Sequence, residues 1–245
     1  SKCRGSVTFF AGDRFHPVMA THRAQGQAVV YVENGHIVAS KGDFQQTIAL
    51  ASIPITMGGV IPFQVDNVMA SIAAAWALGL DWDTIRKSLS SFSNDAHNAQ
   101  GRFNFFKFRE ATVIADYGHN PDAMIALVQA VQAMPATRRA VVISGAGDRR
   151  DQDIRQQTEI LGDVFDEVIL YEDQCQRGRR DGEVIALLRQ GLAHARRTTQ
   201  TSEIKGEFLA IDTAMDKLVP GELCLILVDQ VEEALAHIAA RVQKG

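Results

Sequence analysis

In the second part of the chain, short apolar runs alternate with stretches whose apolar residues recur at helical spacing. The apolar runs predict strands at residues 111–115, 140–144, 167–171 and 224–228, with an edge strand at 198–202. Helices are predicted at 121–133, 152–165, 183–192, 205–215 and 231–241. Because strands that alternate with helices form a mostly parallel sheet covered by helices, this part is predicted to be an α/β domain.

The first part of the chain has closely spaced strands and fewer helices. Strands are predicted at 6–10, 28–32, 37–39 and 44–49, and the dipeptide Asn34-Gly35 predicts a hairpin. Helices are predicted at 17–24, 67–78 and 82–92, the last of them capped by Asp81. We interpret this part as the tail of a larger sheet, separated from the second part by a polar, hinge-like stretch at 93–101. The predicted domains are 1–97 and 98–245.

Composition and charge narrow the function classes. A chain of 245 residues, 46% of them hydrophobic, can bury one large or two modest cores. The net charge of −4 provides no positive field that would attract nucleic acid or a membrane, so we expect neither as a partner. The sequence contains neither a long apolar run nor a leader, and we expect a cytoplasmic protein. Cys3, Cys175 and Cys224 lack metal-ligand spacing, as do the histidines, so no metal site is predicted.

The segment from Asp116 to Pro121 places polar residues where a predicted strand meets a predicted helix. Asn120 can cap that helix and Pro121 can be its first residue. Asp116, Tyr117 and His119 therefore lie at the carboxyl end of a strand, where open α/β sheets bind ligands. A carboxylate there can accept hydrogen bonds from ribose hydroxyls, and an aromatic ring or imidazole can lie against a base. The alternative is a capped turn with a surface Asp and His.

Two arginine-rich loops follow later strands. In the loop at 145–150, glycines let the backbone approach a ligand, and the arginine pair at 149–150 suits a carboxylate or phosphate. Its alternative is a tight turn with solvated arginines. After the next strand comes a basic run with Arg177, Arg179 and Arg180, flanked by acidic residues, which is either a substrate contact or a charge-balanced surface loop.

Four elements in the same order resemble motifs of the Mur ligase superfamily. The helix predicted from Asn67 resembles the N-x-x-A-A-x-A helix of the superfamily, and the sequence at 101–104 resembles its G-R-F element. The segment at 116–121 resembles D-Y-A-H-N-P, with Gly118 where alanine is usual, and 145–151 resembles the glycine-rich loop before an R-D pair. The resemblance spans nearly the whole chain. It implies the tail of a central ATPase domain followed by a C-terminal Rossmann-like domain.

The resemblance also implies a nucleotide site and a substrate site. Arg102 and Asp116 are the expected catalytic residues, and Arg102 is expected to reach the nucleotide phosphates. Asn67, by itself a cap for its helix, is expected to contact the adenine. The expected nucleotide-binding residues are together Asn67, Arg102, Asp116, Tyr117, His119 and Asn120. The expected substrate-binding residues are Asp148, Arg149, Arg150, Asp151 and Arg177.

The phosphate-binding loop of ATP-dependent Mur ligases, G-x-x-x-x-G-K-[ST], does not occur in this sequence. Such a loop cradles the phosphates with backbone N–H groups, and its hydroxyl meets the metal. Together with a start that lacks Met, its absence leads us to expect a carboxyl-terminal fragment that cannot catalyse ligation alone. ATP and Mg are the implied cofactors of the complete protein, which we expect to be a homo-oligomer.

Within the superfamily, three segments resemble the cyanophycin synthetase family, whose members build a polyaspartate chain decorated with arginine. They are G-R-F-N-F-F at 101–106, G-D-R-R-D at 147–151 and E-D-Q-C-Q-R-G-R at 172–179. The resemblance implies ATP-dependent amide formation through an acyl phosphate, with arginine as the amine and polyaspartate as the acceptor. Two alternatives stay open: another Mur-type ligase, acting on a peptidoglycan precursor or a folate, and a vestigial scaffold domain without turnover.

Overall fold

The computed structural model describes residues 4–95, 98–173 and 176–245. The chain divides into two compact units, Ser1–Ser93 and Asn94–Gly245, and the division lies within the polar stretch at 93–101. Two of the three cysteines, Cys3 and Cys175, lie outside the described residues. That the first unit is the tail of a central ATPase domain stays a prediction.

The first unit contains a four-stranded sheet. Its strands are β1 (Phe9–Asp13), β2 (Val29–Glu33), β3 (His36–Lys41) and β4 (Phe44–Ala49), in that spatial order. β1 is parallel to β2, and the other two pairs are antiparallel. The predicted hairpin is confirmed, since Asn34 and Gly35 have φ angles of 49° and 74°, as a two-residue turn with both central residues left-handed requires.

Helices cover both faces of this sheet. They are α1 (Pro17–Ala24), α2 (Pro62–Ala77) and α3 (Trp82–Ser91). One core joins buried residues of β2, β3 and β4 to α2 and α3, and a smaller one packs Met19 of α1 against β2 and β3. Asp81 caps α3 as predicted, because its carboxylate accepts from the backbone N–H of Thr84 at 2.9 Å.

The predicted start of α2 was wrong. The helix begins at Pro62, not at Asn67, because proline is well suited to the first helical position, where no N–H is needed. Asn67 is therefore in the second turn and cannot be a cap. Its side chain is exposed, and its amide donates to the side-chain oxygen of Gln64 at 3.2 Å.

The second unit contains a six-stranded sheet. Its strands are β5 (Asn104–Phe108), β6 (Ala111–Asp116), β7 (Arg139–Ile143), β8 (Glu167–Glu172), β9 (Gln200–Lys205) and β10 (Leu223–Leu227). Their spatial order is β5-β6-β10-β7-β8-β9. β5, which was not predicted, pairs antiparallel with β6, and all other pairs are parallel. The sheet is thus mostly parallel, as predicted.

In the described residues of this unit, four α-helices connect the parallel strands and a fifth follows the last strand. They are α4 (Pro121–Ala133), α5 (Asp151–Gly162), α6 (Glu183–Gly191), α7 (Glu207–Lys217) and α8 (Val231–Lys244). The helix predicted from Lys205 starts two positions later, because Lys205 ends β9 and Gly206, with a φ of 104°, separates strand from helix. α7 and α8 bury apolar residues against the sheet, while α4, α5 and α6 pack side by side.

A buried carboxylate anchors the amino end of β8. Glu167 is 2% exposed, and its two oxygens accept from Lys217 at 2.6 Å and from Arg138 at 2.7 Å. Burial acts to raise the pKa of Glu167, but the hydrogen bonds from Lys217 and Arg138 outweigh it, so the pKa is lowered. The ion pairs therefore stabilise the ionised form.

We expect Glu167→Gln to lower the free energy of unfolding by about 1–3 kcal/mol at neutral pH, since a neutral amide replaces a paired carboxylate. A folded-state pKa below the unfolded value means that the stabilisation is present above about pH 4.5 and is lost as the pH falls through the folded-state pKa. Denaturant unfolding should show that the free energies of unfolding of the wild type and the variant differ at pH 7 and become similar at pH 3. Glu159→Gln, an exposed residue of α5, is the control. An equal difference at both pH values contradicts the assignment.

Candidate functional site

The carboxyl ends of four neighbouring parallel strands lie along one edge of the second sheet. This carboxyl edge is formed by the ends of β6, β10, β7 and β8 and the loops that follow them. Asp116 ends β6, Asp229 follows β10, the glycine-rich loop at 145–150 follows β7, and Asp173 follows β8. The topology therefore brings the predicted polar segments of the second unit to one edge, as expected for a ligand site in an open α/β sheet.

Asp116 is buried, with an exposed fraction of 8%. One oxygen of its carboxylate accepts from the backbone N–H of Phe103 at 2.7 Å. Burial raises the pKa of Asp116 to about 6, against the lowering effects of the Phe103 N–H, the positive charge of Arg102 and the Gly118 N–H. The carboxylate is thus ionised at neutral pH, but it takes up a proton in mild acid.

Tyr117 and His119 form an aromatic pair beside Asp116. Their ring centroids are 4.3 Å apart. The imidazole Nδ1 of His119 donates to the carbonyl of Tyr117 at 3.2 Å, and its Nε2 lies 3.9 Å from a carboxylate oxygen of Asp229. Burial is the main cause that lowers the pKa of His119, so the ring is neutral at pH 7. A neutral ring next to a tyrosine is suited to contact with an aromatic base.

Gly118 leaves room for the Asp116 carboxylate. A Cβ at this position would lie 3.1 Å from Oδ1 of Asp116, 2.9 Å from Cδ1 of Leu127 and 3.1 Å from Cε of Met124. The glycine, where the resembling family usually has alanine, therefore fits the local packing of this chain. It is not by itself a sign of a degraded site.

The turn at 101–104 places Arg102 next to this group. Gly101 and Phe103 both have positive φ angles, 66° and 53°, and the carbonyl of Gly101 accepts from the N–H of Tyr117 at 2.8 Å. Arg102 is exposed, and its charge acts on Asp116. Asn120 has a structural role, because its side-chain oxygen accepts from the N–H of Ala123 at 2.8 Å and caps α4.

The loops after β7 and β8 contact each other. Arg177 donates to both oxygens of Asp148 at 3.0 Å, and a Cβ on Gly147 would overlap with the carbonyl oxygen of Gln176. The positive charges of Arg149 and Arg177 act to lower the pKa of His119, which places both near the β6 loop. Two predicted substrate residues are used locally, since Arg150 pairs with Asp153, and Asp151 pairs with Arg179.

The sequence interpretation missed two acidic residues of this edge. Asp229 follows an apolar strand directly, the same signal that pointed to Asp116. Glu207 is fully buried, and its carboxylate accepts from the N–H groups of Asp229 at 2.8 Å and Gln230 at 3.0 Å, which fixes the backbone at Asp229. Burial is the largest influence on the pKa of Glu207 and raises it.

Among residues 4–95, 98–173 and 176–245, no group of three or more His, Cys, Asp or Glu side chains is placed to hold a metal ion. Cys224 is a free, buried thiol, and burial raises its pKa to about 12, so it is not a nucleophile. None of the helices in the described ranges has the length and apolar character needed to cross a membrane.

Residues 101–243 match the family described as Mur ligase, glutamate ligase domain. The chain belongs to the Mur ligase family. Three of the four motifs that resemble this family, at 101–104, 116–121 and 145–151, lie within the matched residues, which represent the glutamate ligase domain. The helix motif at Asn67 lies outside the match.

Curated relatives agree with the Mur ligase assignment. The chain is 33% identical over 237 residues to cyanophycin synthetase from Geminocystis herdmanii, and 34% identical over 240 residues to cyanophycin synthetase from Crocosphaera subtropica. These alignments cover 96% and 97% of this chain but only 27% of each relative. The chain thus spans about a quarter of the length of these relatives.

Solved structures show the same Mur ligase fold. Escherichia coli FolC in complex with DHPP and ADP superposes with a TM-score of 0.65 at 20% identity, over 98% of this chain and 54% of that one. A pseudomurein peptide ligase type C from Methanothermus fervidus gives a TM-score of 0.60 at 19% identity, over 89% of this chain and 41% of that one. The predicted fold class is confirmed.

Proposed function

We propose that this chain supplies the carboxyl-terminal part of an ATP-dependent ligase of the cyanophycin synthetase type, which adds arginine to a polyaspartate backbone. The observation that carries the proposal is the carboxyl edge, where Asp116 and His119 lie beside two arginine-containing loops. The similarity to cyanophycin synthetases over nearly the whole chain supports the choice of substrates.

In this proposal, Asp116 and the ring pair bind the nucleoside of ATP. The Asp116 carboxylate is ionised above about pH 6 and accepts hydrogen bonds from ribose hydroxyls. Tyr117 and His119 lie against the base, and the exposed Arg102 reaches the phosphates, where its fork offsets developing charge. Asn67 lies in the other unit, and its contact with adenine is proposed from the family resemblance alone.

The loops after β7 and β8 bind the amino acid. Arg149 and Arg177 offer guanidinium groups to its α-carboxylate, and Asp148 and Asp151 offer carboxylates to its cationic end. Arg150 is held by Asp153 and Arg177 by Asp148, so the part of these residues in binding requires those pairs to open. Asp151 contacts Arg179 through one carboxylate oxygen and offers the other to the substrate. The α-amino group of arginine then attacks an acyl phosphate on the acceptor carboxylate, and phosphate leaves as the amide forms.

The complete protein supplies what this chain lacks. The sequence has no G-x-x-x-x-G-K-[ST] loop, so we propose that the isolated chain does not turn over ATP. Magnesium would offset phosphate charge in the full-length enzyme. We assign it no ligands among the described residues, because no suitable acidic cluster occurs there. A homo-oligomeric full-length protein remains part of the proposal.

Phosphate release by the full-length protein tests the proposed function. The assay contains Mg-ATP and a polyaspartate primer, with arginine, lysine, aspartate, diaminopimelate or no amino acid. Release that depends on arginine supports the proposal. Release that depends on diaminopimelate instead indicates another ligase of the superfamily, and no release under any condition indicates a scaffold domain; either result overturns it.

Nucleotide binding should depend on the ionisation of Asp116. Since its folded-state pKa is about 6, we expect ADP affinity to fall about tenfold per pH unit well below pH 6 and to level off above pH 7. Calorimetric titration of the full-length protein and of Asp116→Asn from pH 5 to 8 measures this. The ADP phosphate titrates equally in both experiments, so the difference between the two proteins isolates Asp116. Parallel curves contradict the role of the carboxylate.

A further inference from the structure

Arg179 connects three segments of the carboxyl edge. Its Nε donates to the carbonyl of Gly147 at 2.7 Å, and one terminal nitrogen donates to the carbonyl of Arg149, also at 2.7 Å. The other terminal nitrogen lies 2.8 Å from carboxylate oxygens of Asp151 and of Glu183. The side chain is only 16% exposed, although it follows two exposed loop residues.

These contacts use the planar fork of arginine in a way that no other side chain reproduces. Five N–H donors in one plane can hold two carbonyls and two carboxylates at once, whereas lysine offers a single nitrogen. Asp151 is the first residue of α5, and Glu183 is the first residue of α6. Arg179 therefore fixes the glycine-rich loop against the starts of both helices.

The loop that Arg179 fixes carries Arg149. Because the carbonyl of Arg149 is one of the groups that Arg179 holds, the direction in which the Arg149 side chain leaves the loop depends on this contact. The Arg149 guanidinium has no hydrogen bond or ion pair with another residue of the described ranges, and its charge acts on His119. Gly147 allows the two loops to pack closely, since a Cβ there would overlap with the carbonyl oxygen of Gln176.

We propose that Arg179 is a positioning residue for the amino-acid substrate: it sets the affinity for that substrate by holding the loop that presents Arg149, without touching the substrate itself. Four of its five N–H donors are already engaged, and two of them bind carboxylates, so its charge is already paired within the protein. The inference rests on the proposed function, because it takes the substrate of that same site to be an amino acid. A small displacement of a binding group is enough to lower the affinity for a substrate markedly.

Steady-state kinetics of the full-length protein test this inference. Arg179→Lys should raise the KM for arginine about tenfold or more and leave the KM for ATP within about twofold, because the nucleotide residues follow β6. Arg179→Gln, which keeps one donor nitrogen, should also raise the KM for arginine. The matched control is Arg189→Lys, which changes an arginine of α6 that pairs with Glu203 at 2.6 Å and has no hydrogen bond or ion pair with the described residues of either loop.

A double variant shows whether the effect passes through Arg149. If it does, Arg179→Lys combined with Arg149→Ala should raise the KM for arginine no further than Arg149→Ala alone. Additive effects, an unchanged KM, or a fall in kcat alone would overturn the inference while the wild type still releases phosphate with arginine. A wild type without arginine-dependent release overturns the proposed function, and this inference with it. Thermal unfolding of each variant shows whether a change in kinetics arises because the variant is not folded.

Discussion

Asp116→Ala in the full-length protein should lower kcat/KM for ATP by about 100-fold and leave the protein folded. The loss in turnover follows from removing a charged acceptor of ribose hydrogen bonds, each worth about 1.5–3 kcal/mol. Two effects on stability oppose each other. The backbone N–H of Phe103 loses its acceptor in a buried place, but a carboxylate whose pKa burial raises to about 6 is no longer held ionised at pH 7. Phosphate release measures the loss in turnover, and thermal unfolding measures the change in stability.

Asp122→Ala is the matched control for this variant. Asp122 is an exposed carboxylate in the first turn of α4, six positions after Asp116 in the same segment. We expect it to retain nearly all of the activity. If Asp116→Ala and Asp122→Ala have equal kcat/KM values, then Asp116 has no part in nucleotide binding.

Asn104→Ala should lower the free energy of unfolding of the second unit by about 3 kcal/mol, the largest effect on stability that we expect from one polar side chain. Asn104 is fully buried. Its amide nitrogen donates to the carbonyls of Ala99, Asp95 and Asn94 at 2.8, 3.1 and 3.2 Å, and its oxygen accepts from the N–H of Gly101 at 2.7 Å. Alanine leaves these backbone groups buried without their partner. Denaturant unfolding of the chain measures the loss.

The same substitution should also weaken nucleotide binding, because Asn104 fixes the turn that carries Arg102 and presents the Phe103 N–H to Asp116. Asn98→Ala is the control, since Asn98 is exposed and donates to Asp95 at 3.0 Å in the same stretch. We expect Asn98→Ala to lower the free energy of unfolding by less than about 1 kcal/mol. A similar loss in both variants would show that the turn does not depend on Asn104.

Sequence patterns predicted those parts of the fold that local signals determine. α4 has the predicted bounds at both ends, because Asn120 caps it and Pro121 opens it. The hairpin at Asn34 followed from its turn residues. β5 was not predicted, because a buried polar residue, Asn104, precedes an exposed apolar one, Phe105, which reverses the alternation expected for a strand. In addition, an antiparallel strand is not marked by a helical crossover.

The position of Asp116 and His119 at the carboxyl edge was predictable, because polar residues follow an apolar strand there. The groups that support the site were not. Glu207 looks like any acidic residue in a first helical turn, and it is buried because the start of α7 lies beside the end of β10. The two carbonyls that Arg179 binds lie about 30 positions earlier in the chain, and no local sequence pattern predicts this contact. Asn67 was assigned as a cap because proline at position 62 was not recognised as a helix start.

The mass of a short polyaspartate primer after incubation with the full-length protein, Mg-ATP and arginine tests the central claim most directly. We expect the primer to become heavier by whole arginine residues, with one ADP formed for each residue added, and we expect Asp116→Ala to slow the gain about 100-fold at ATP concentrations below the KM. If ADP forms while the mass of the primer stays unchanged, the carboxyl edge of this chain does not serve an arginine-adding ligase.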